Sequence, residues 1–264
     1  MTLIDAISFL SVPLAIKSFN GHRIGTATGF FWRKENDKTY LISNHHVFSG
    51  NHYLTHKSSY KDSAFPAKIE YPRFVSEQHL HERSLHTVLL CDDAGNDPTW
   101  KSHPIHERHA VDFAFVEVPT RAGDGTYVYA INDEFRHECD KPMPRYDPGF
   151  ELLIAGFFLS DRPTGYFPIY IKGSVASEID ALYKGQMAFL VDALTSSGMS
   201  GSPVFATGPE RVNAEEKFSP LKTMPRFVGI YSGRIVENDN GKERELQVGI
   251  VWRRELIHEA IQAE

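Results

Sequence analysis

The sequence predicts an all-β protein, a sandwich or barrel arrangement in two parts, and three observations carry that expectation. Short β-rich runs recur between Gly, Asn, Asp and Pro, and helical periodicity is confined to the C-terminus. The runs also fall into two groups of similar size around a Gly-, Asp- and Pro-rich divider at residues 119–149.

The first group reads TATGFFW (26–32), TYLIS (39–43), AFPAKIEY (64–71), HTVLL (86–90) and DFAFVEV (112–118). The second reads ELLIAGFF (151–158), YIKGSVAS (170–177), AFLVDA (188–193), PVFA (203–206), FVGIYSG (227–233) and LQVGIVW (246–252). Each is short and rich in β-branched or aromatic residues, and turn formers follow it. The organisation expected is an N-terminal unit over 1–120, a linker over 121–149 and a C-terminal unit over 150–264. The polar, Pro-flanked stretch 209–225 reads as a loop. In RRELIHEAIQA (253–263), Leu256, Ile257, Ala260 and Ile261 share one stripe, which predicts a helix packed on the last strand.

Composition narrows the function classes. The chain has 264 residues, of which 41% are hydrophobic and 23% charged, ordinary values that exclude a disordered or collagen-like chain. Its net charge of −6 makes it a poor candidate for general phosphate-backbone binding, and no local cluster of Lys and Arg stands out, so no nucleic-acid partner is expected. The N-terminus, MTLIDAISFLSVPLAIKSF, has Asp5 and Pro13 and no basic residue before Lys17. It fits neither a secretory signal nor a membrane span, so no membrane partner is expected. A complete chain of this kind would be cytoplasmic, although a mature form already trimmed of a signal would look similar. Cys91 and Cys139 allow at most one bridge, and two free thiols in a reducing compartment are the expectation. His103, His106 and His109 are evenly spaced, but Pro104 interrupts any helix and no Cys or carboxylate cluster completes a metal site. A solvated loop without metal is expected there, and no cofactor elsewhere.

Three segments carry chemistry. In SGMSGSPVF (197–205), Ser200 stands between Gly198-Met199 and Gly201 in a tight turn before an apolar strand. Small neighbours let a substrate approach, and nearby main-chain N–H groups can face a developing oxyanion. In YLISNHHVF (40–48), a strand runs into Asn44-His45-His46. In HAVDFAFVEV (109–118), Asp112 opens an otherwise apolar strand, where a carboxylate must be paired or hydrogen-bonded. A serine hydroxyl needs an imidazole to take its proton, and the imidazole needs a carboxylate to fix its tautomer. The order His46, Asp112, Ser200 puts base and acid in the first group and nucleophile in the second. A site at the junction of the two units follows.

With these residues in view, the sequence resembles the chymotrypsin-like (trypsin-fold) serine proteases, and most of all their bacterial trypsin-like branch. The matching segments are GTATGFFW, YLISNHHVF, DFAFVEV, LLIAGFF, VDALTSSGMSGSPVF, FVGIYSG and VGIVW, spread over roughly residues 12–252. The resemblance implies two packed six-stranded antiparallel β-barrels and a C-terminal helix. It puts the catalytic histidine at His46 rather than His45, the aspartate at Asp112, the nucleophile at Ser200 and the oxyanion hole at the Gly198 and Ser200 N–H groups. Its substrate pocket falls on Leu194, Thr195 and Ser196, then on Tyr231, Ser232 and Gly233, with Arg234 near the mouth. Leu194 stands where specificity for Lys or Arg would need an Asp, so trypsin-like cleavage is not expected. Thr195 matches glutamyl endopeptidases, but Tyr231 replaces their histidine.

The activity implied is serine endopeptidase action on a protein or peptide, restrained by narrow specificity, a regulatory partner protein or a mobile site. The competing reading is a protease-fold binding or scaffolding module with a blocked or partner-dependent site. An α/β-hydrolase would need the order Ser, acid, His, and only His258 follows Ser200.

Overall fold

Antiparallel pairing starts at Val12, well before the first strand expected from the sequence. β1 (Val12–Lys17) pairs with β2 (Arg23–Arg33) on one side and β4 (Lys68–Phe74) on the other. Pro13 has no N–H to donate, and its place in this strand accommodates that. It lies outside the span paired with β4 (Ala15–Lys17), and its partner Thr28 sends its own N–H to Ser200, so the missing proline N–H breaks no ladder. In this computed structural model the described residues are 6–34, 38–76, 82–92, 95, 97–106, 110–134, 143–158, 165–207, 225–239 and 242–264.

β3 (Thr39–Ser43), β5 (Arg83–Leu89), β6 (Lys101–Ser102) and β7 (Ala114–Val118) complete the N-terminal sheet, in the order β5-β4-β1-β2-β3-β7-β6. A closed six-stranded barrel is the expectation here; among the described residues seven strands form the sheet, and a closure between its edges is not seen among them. The edge strand β6 is only two residues long and pairs with β7 alone. Isolated bridges, Phe74 to Tyr127 and Phe31 to Ala130, tie the segment after β7 back onto the sheet.

The C-terminal unit is the closed six-stranded barrel expected. β8 (Glu151–Gly156), β9 (Ile169–Val175), β10 (Ala188–Asp192), β11 (Pro203–Ala206), β12 (Arg226–Asp239) and β13 (Lys242–Arg253) close in the order β10-β13-β12-β11-β8-β9. Strands β12 and β13 extend well beyond the expected runs. Their register shifts between Tyr231 and Gly233 and again between Arg234 and Val236. Such bulges re-aim side chains, here beside the turn Gly198–Gly201.

Three buried clusters hold the molecule. One fills the N-terminal sheet around Leu14, Phe31, Leu41 and Val116, and another fills the barrel around Leu152, Val191, Met199 and Val251. The third spans both units, joining Phe30, Trp32 and Phe115 to Phe205, Phe227 and Trp252. Onto it the C-terminal helix, Arg254–Gln262, lays Leu256, Ile257, Ala260 and Ile261, the stripe read from the sequence. A nine-residue helix is marginal alone, and burial of its aliphatic side chains at roughly 1.5–3 kcal/mol each holds it in place.

Cys91 is a free, buried thiol. Cys139, the 209–224 part of the expected 209–225 loop, and the central part of the 121–149 linker lie outside the described residues. Among the described residues no helix is long and apolar enough to cross a membrane.

Candidate active site

Three loops meet where the two units touch. The first leaves β3. Asn44 has extended backbone, and a short helix, His45–Ser49, starts immediately after it. The buried Asn44 amide donates to the Asp112 main-chain carbonyl at 2.7 Å, binding this turn to the chain before β7. Asp112 itself lies two residues ahead of β7 rather than inside it, and it is wholly buried.

A buried carboxylate survives only if its lone pairs are satisfied. Asp112 Oδ1 accepts the His46 main-chain N–H at 3.0 Å, and Oδ2 lies 2.8 Å from His46 Nδ1. The Ser232 hydroxyl also donates to Oδ2. Burial pushes the Asp112 carboxyl up. The adjacent His46 charge and the bonds from His46 and Ser232 outweigh it and hold the carboxyl below its ordinary value. An ionised carboxylate can only accept, so Nδ1 must carry the proton. The His46 Nε2 lone pair is thereby freed to act as a base.

His45 points elsewhere, as expected of its neighbour in sequence. Its ring stacks on His106 with centroids 3.9 Å apart and meets Trp100 edge-on. Burial, then the charge of His106, lowers its pKa to about 4. Of the evenly spaced histidines, His106 hydrogen-bonds the Val111 carbonyl through Nδ1, while His103 is buried against Phe113. The expectation of a solvated loop therefore fails for His103, whose apolar neighbour Phe113 takes it inside. His109 lies outside the described residues. Among the described residues no group of three or more His, Cys, Asp or Glu is placed to hold a metal.

The turn that carries Ser200 follows β10. Gly198 has φ +100° and Gly201 φ +85°, left-handed backbone that favours glycine. Gly201 N–H donates to Tyr231 O at 2.9 Å and Met199 N–H to Ser196 O at 3.2 Å. The N–H groups of Gly198 and Ser200 between them make no hydrogen bond with the described residues. Two free donors flanking a serine suit a developing oxyanion. The Ser200 hydroxyl donates to the Ser232 carbonyl at 3.1 Å rather than to His46, so the serine must rotate before His46 can take its proton. Met199 is fully buried in the barrel cluster and packs where a side chain at Gly156 would stand.

The pocket residues separate into roles. Thr195 and Tyr231 are buried and share a hydroxyl–hydroxyl bond. The Tyr231 ring also fills the space a side chain at Gly249 would need. Leu194 is 68% exposed, Ser196 is exposed, and Gly233 has open space beside it. Arg234 is engaged by Glu245, so it does not supply a free charge at the mouth. Ser232 was read as pocket lining, but its hydroxyl serves Asp112. Sequence reasoning missed this, and it missed Thr28 and Asn44 as supports. The available signal was a polar residue inside an apolar run, which has to find a partner.

A model of the trypsin-like peptidase domain matches residues 27–212. Among curated proteins no sequence matches significantly. A thermostable serine protease, AL20, from an extremophilic microorganism is similar in structure, with TM-score 0.50 and 12% identity over 98% of each chain. A Glu endopeptidase is similar with TM-score 0.51 and 13% identity, over 98% of this chain and 91% of that one. At such identities the two neighbours speak for the fold.

Proposed function

The chain belongs to the family of trypsin-like peptidases, and from that premise we propose that it is a serine endopeptidase using Ser200, His46 and Asp112. The observation that carries this reading is the buried Asp112 carboxylate, which binds both the main chain and Nδ1 of His46 and so fixes the base in its working tautomer. His46 Nε2 takes the Ser200 proton as Oγ attacks the peptide carbonyl carbon. The oxyanion forms toward the Gly198 and Ser200 N–H groups. Nε2 then hands its proton to the leaving amine, and the C–N bond breaks to give an acyl-serine. Water, deprotonated by the same Nε2, hydrolyses the acyl group and restores the hydroxyl. Asp112 stays ionised throughout.

The pocket supports a side chain other than Lys or Arg. Leu194 replaces the acid a cationic side chain would need, and the Tyr231–Thr195 pair occupies the buried floor. The expected substrate is a protein or peptide.

Labelling of the purified chain with a fluorophosphonate tests the reading. Adduct on Ser200, lost in Ser200→Ala and His46→Ala, is expected. A folded chain that never labels, with no cleavage of a peptide library, sinks the proposal. It would favour a binding module.

A further inference from the structure

Thr28 is fully buried in the middle of β2, on the N-terminal sheet, yet its polar atoms serve the nucleophile turn of the other unit. Its N–H donates to the Ser200 carbonyl at 2.9 Å. Its hydroxyl donates to the Gly198 carbonyl at 3.0 Å and accepts the Phe157 N–H at 2.9 Å. With Phe157 N–H directed into the oxygen, the single hydroxyl hydrogen is committed to Gly198. Thr28 is fixed in turn, because the Ser43 hydroxyl donates to its carbonyl at 2.7 Å.

We infer that Thr28 is a positioning residue for the oxyanion-binding N–H pair, its hydroxyl holding the Gly198–Ser200 loop in the shape that stabilises the transition state. The inference rests on the serine-endopeptidase reading. Gly198, at φ +100°, has the freedom to turn its peptide plane, and left-handed glycine alone does not choose one orientation. Two carbonyls in the loop, those of Gly198 and Ser200, are pinned from the same residue. The Ser200 N–H lies between the pinned carbonyls, and only the φ and ψ rotations of Gly198 itself separate the Gly198 N–H from the first. Below the loop Met199 is buried among apolar residues and offers no charge to an ion pair. The hydroxyl bridge supplies the directional restraint, and it crosses from one unit to the other.

A donor that only positions the loop affects the transition state more than the bound substrate. Thr28→Val keeps the shape and removes the hydroxyl, whereas Thr28→Ser keeps the hydroxyl. Loss of a direct oxyanion donor costs about 100- to 1,000-fold in kcat, so loss of its support is set at about 10- to 100-fold. The expected result is that fall in kcat for Thr28→Val with KM nearly unchanged, slower fluorophosphonate labelling, and rescue to within a few-fold by Thr28→Ser. If Thr28→Val does not fold, Thr28→Cys replaces it, with a smaller loss in the same direction because a thiol is a weaker donor. Wild-type kcat in the variant lacking the hydroxyl overturns the inference while leaving the endopeptidase reading standing. So does a loss confined to KM, or one that Thr28→Ser does not restore. A wild-type chain inert toward the probe overturns both.

Discussion

One serine hydroxyl separates the two ways of reading residue 232. Taken by position, Ser232 lines a pocket; taken by its bond, it is the third donor on the Asp112 carboxylate. Hydrogen bonds to a buried charge are worth about 1.5–3 kcal/mol, which marks Ser232 as a support of His46. Ser232→Ala should therefore lower kcat/KM by about tenfold to a hundredfold. Its effect should shrink sharply in an Asp112→Asn background, where the charge is gone, and a double-mutant cycle of activity checks this. Fully additive losses would mean that the hydroxyl acts elsewhere. His46, Asp112 and Ser200 were legible because each chemical type sat beside a β-run in a workable order. The supporting hydroxyls were not, since Ser and Thr occur throughout the chain and only the fold shows which are enclosed. His45 gives a second residue-scale expectation. Above pH ~6.5 it is neutral in both folded and unfolded chains and contributes nothing to pH dependence. Between there and its folded value of about 4, the unfolded chain takes up a proton that the folded one refuses. Stability should fall over that window by up to about 3 kcal/mol. Thermal melts of His45→Gln should flatten this part of the pH profile, and an unchanged slope would count against a desolvated His45. Because His45 faces His106 and Trp100, His45→Ala should cost far less activity than His46→Ala.

At the scale of elements, the nucleophile turn is shaped as much by its neighbours as by its glycines. A β-carbon at Gly201 would sit 2.1 Å from the Thr28 carbonyl and 2.2 Å from the Ser43 hydroxyl. Backbone at one of those contacts cannot swing away. Gly201→Ala should cost more than ~3 kcal/mol in denaturant unfolding and abolish labelling of Ser200. Gly21→Ala, equally left-handed at φ +77° but with open space around it, should cost only about 1 kcal/mol. Equal costs would show that backbone strain, not the contact with Thr28 and Ser43, governs the turn. Sequence pattern decides which elements were disclosed. The six barrel strands were legible because each contains a short run rich in apolar, β-branched or aromatic residues, although the polar ends of β12 and β13 lie outside it. β1 was obscured by Pro13, and two-residue β6 carries too little pattern to register. The open N-terminal sheet was equally hidden, since closure depends on which edges meet, a property no single strand carries.

At the scale of the molecule, the site depends on two units staying in register, and the shared cluster of Phe30, Trp32, Phe227 and Trp252 supplies that register. The N-terminal segment takes part. Ile7 and Leu10 are buried in this cluster, the Ser8 hydroxyl bonds that of Tyr170, and β1 is paired from Val12. A segment so engaged is not available to carry a new amine toward the nucleophile turn. The turn offers such an amine nothing in any case. Met199 is uncharged and fully buried in the apolar cluster of the barrel, and an ammonium group buried there would cost several kcal/mol without a counter-charge. Cleavage near the N-terminus should therefore not be what switches the site on. The full-length chain, and the same chain extended by an N-terminal tag, should label at Ser200 at rates within a few-fold of each other. Labelling that appears only after N-terminal proteolysis would overturn this. Labelling that appears only with a partner protein would move control of the loop from the Thr28 bridge to that partner.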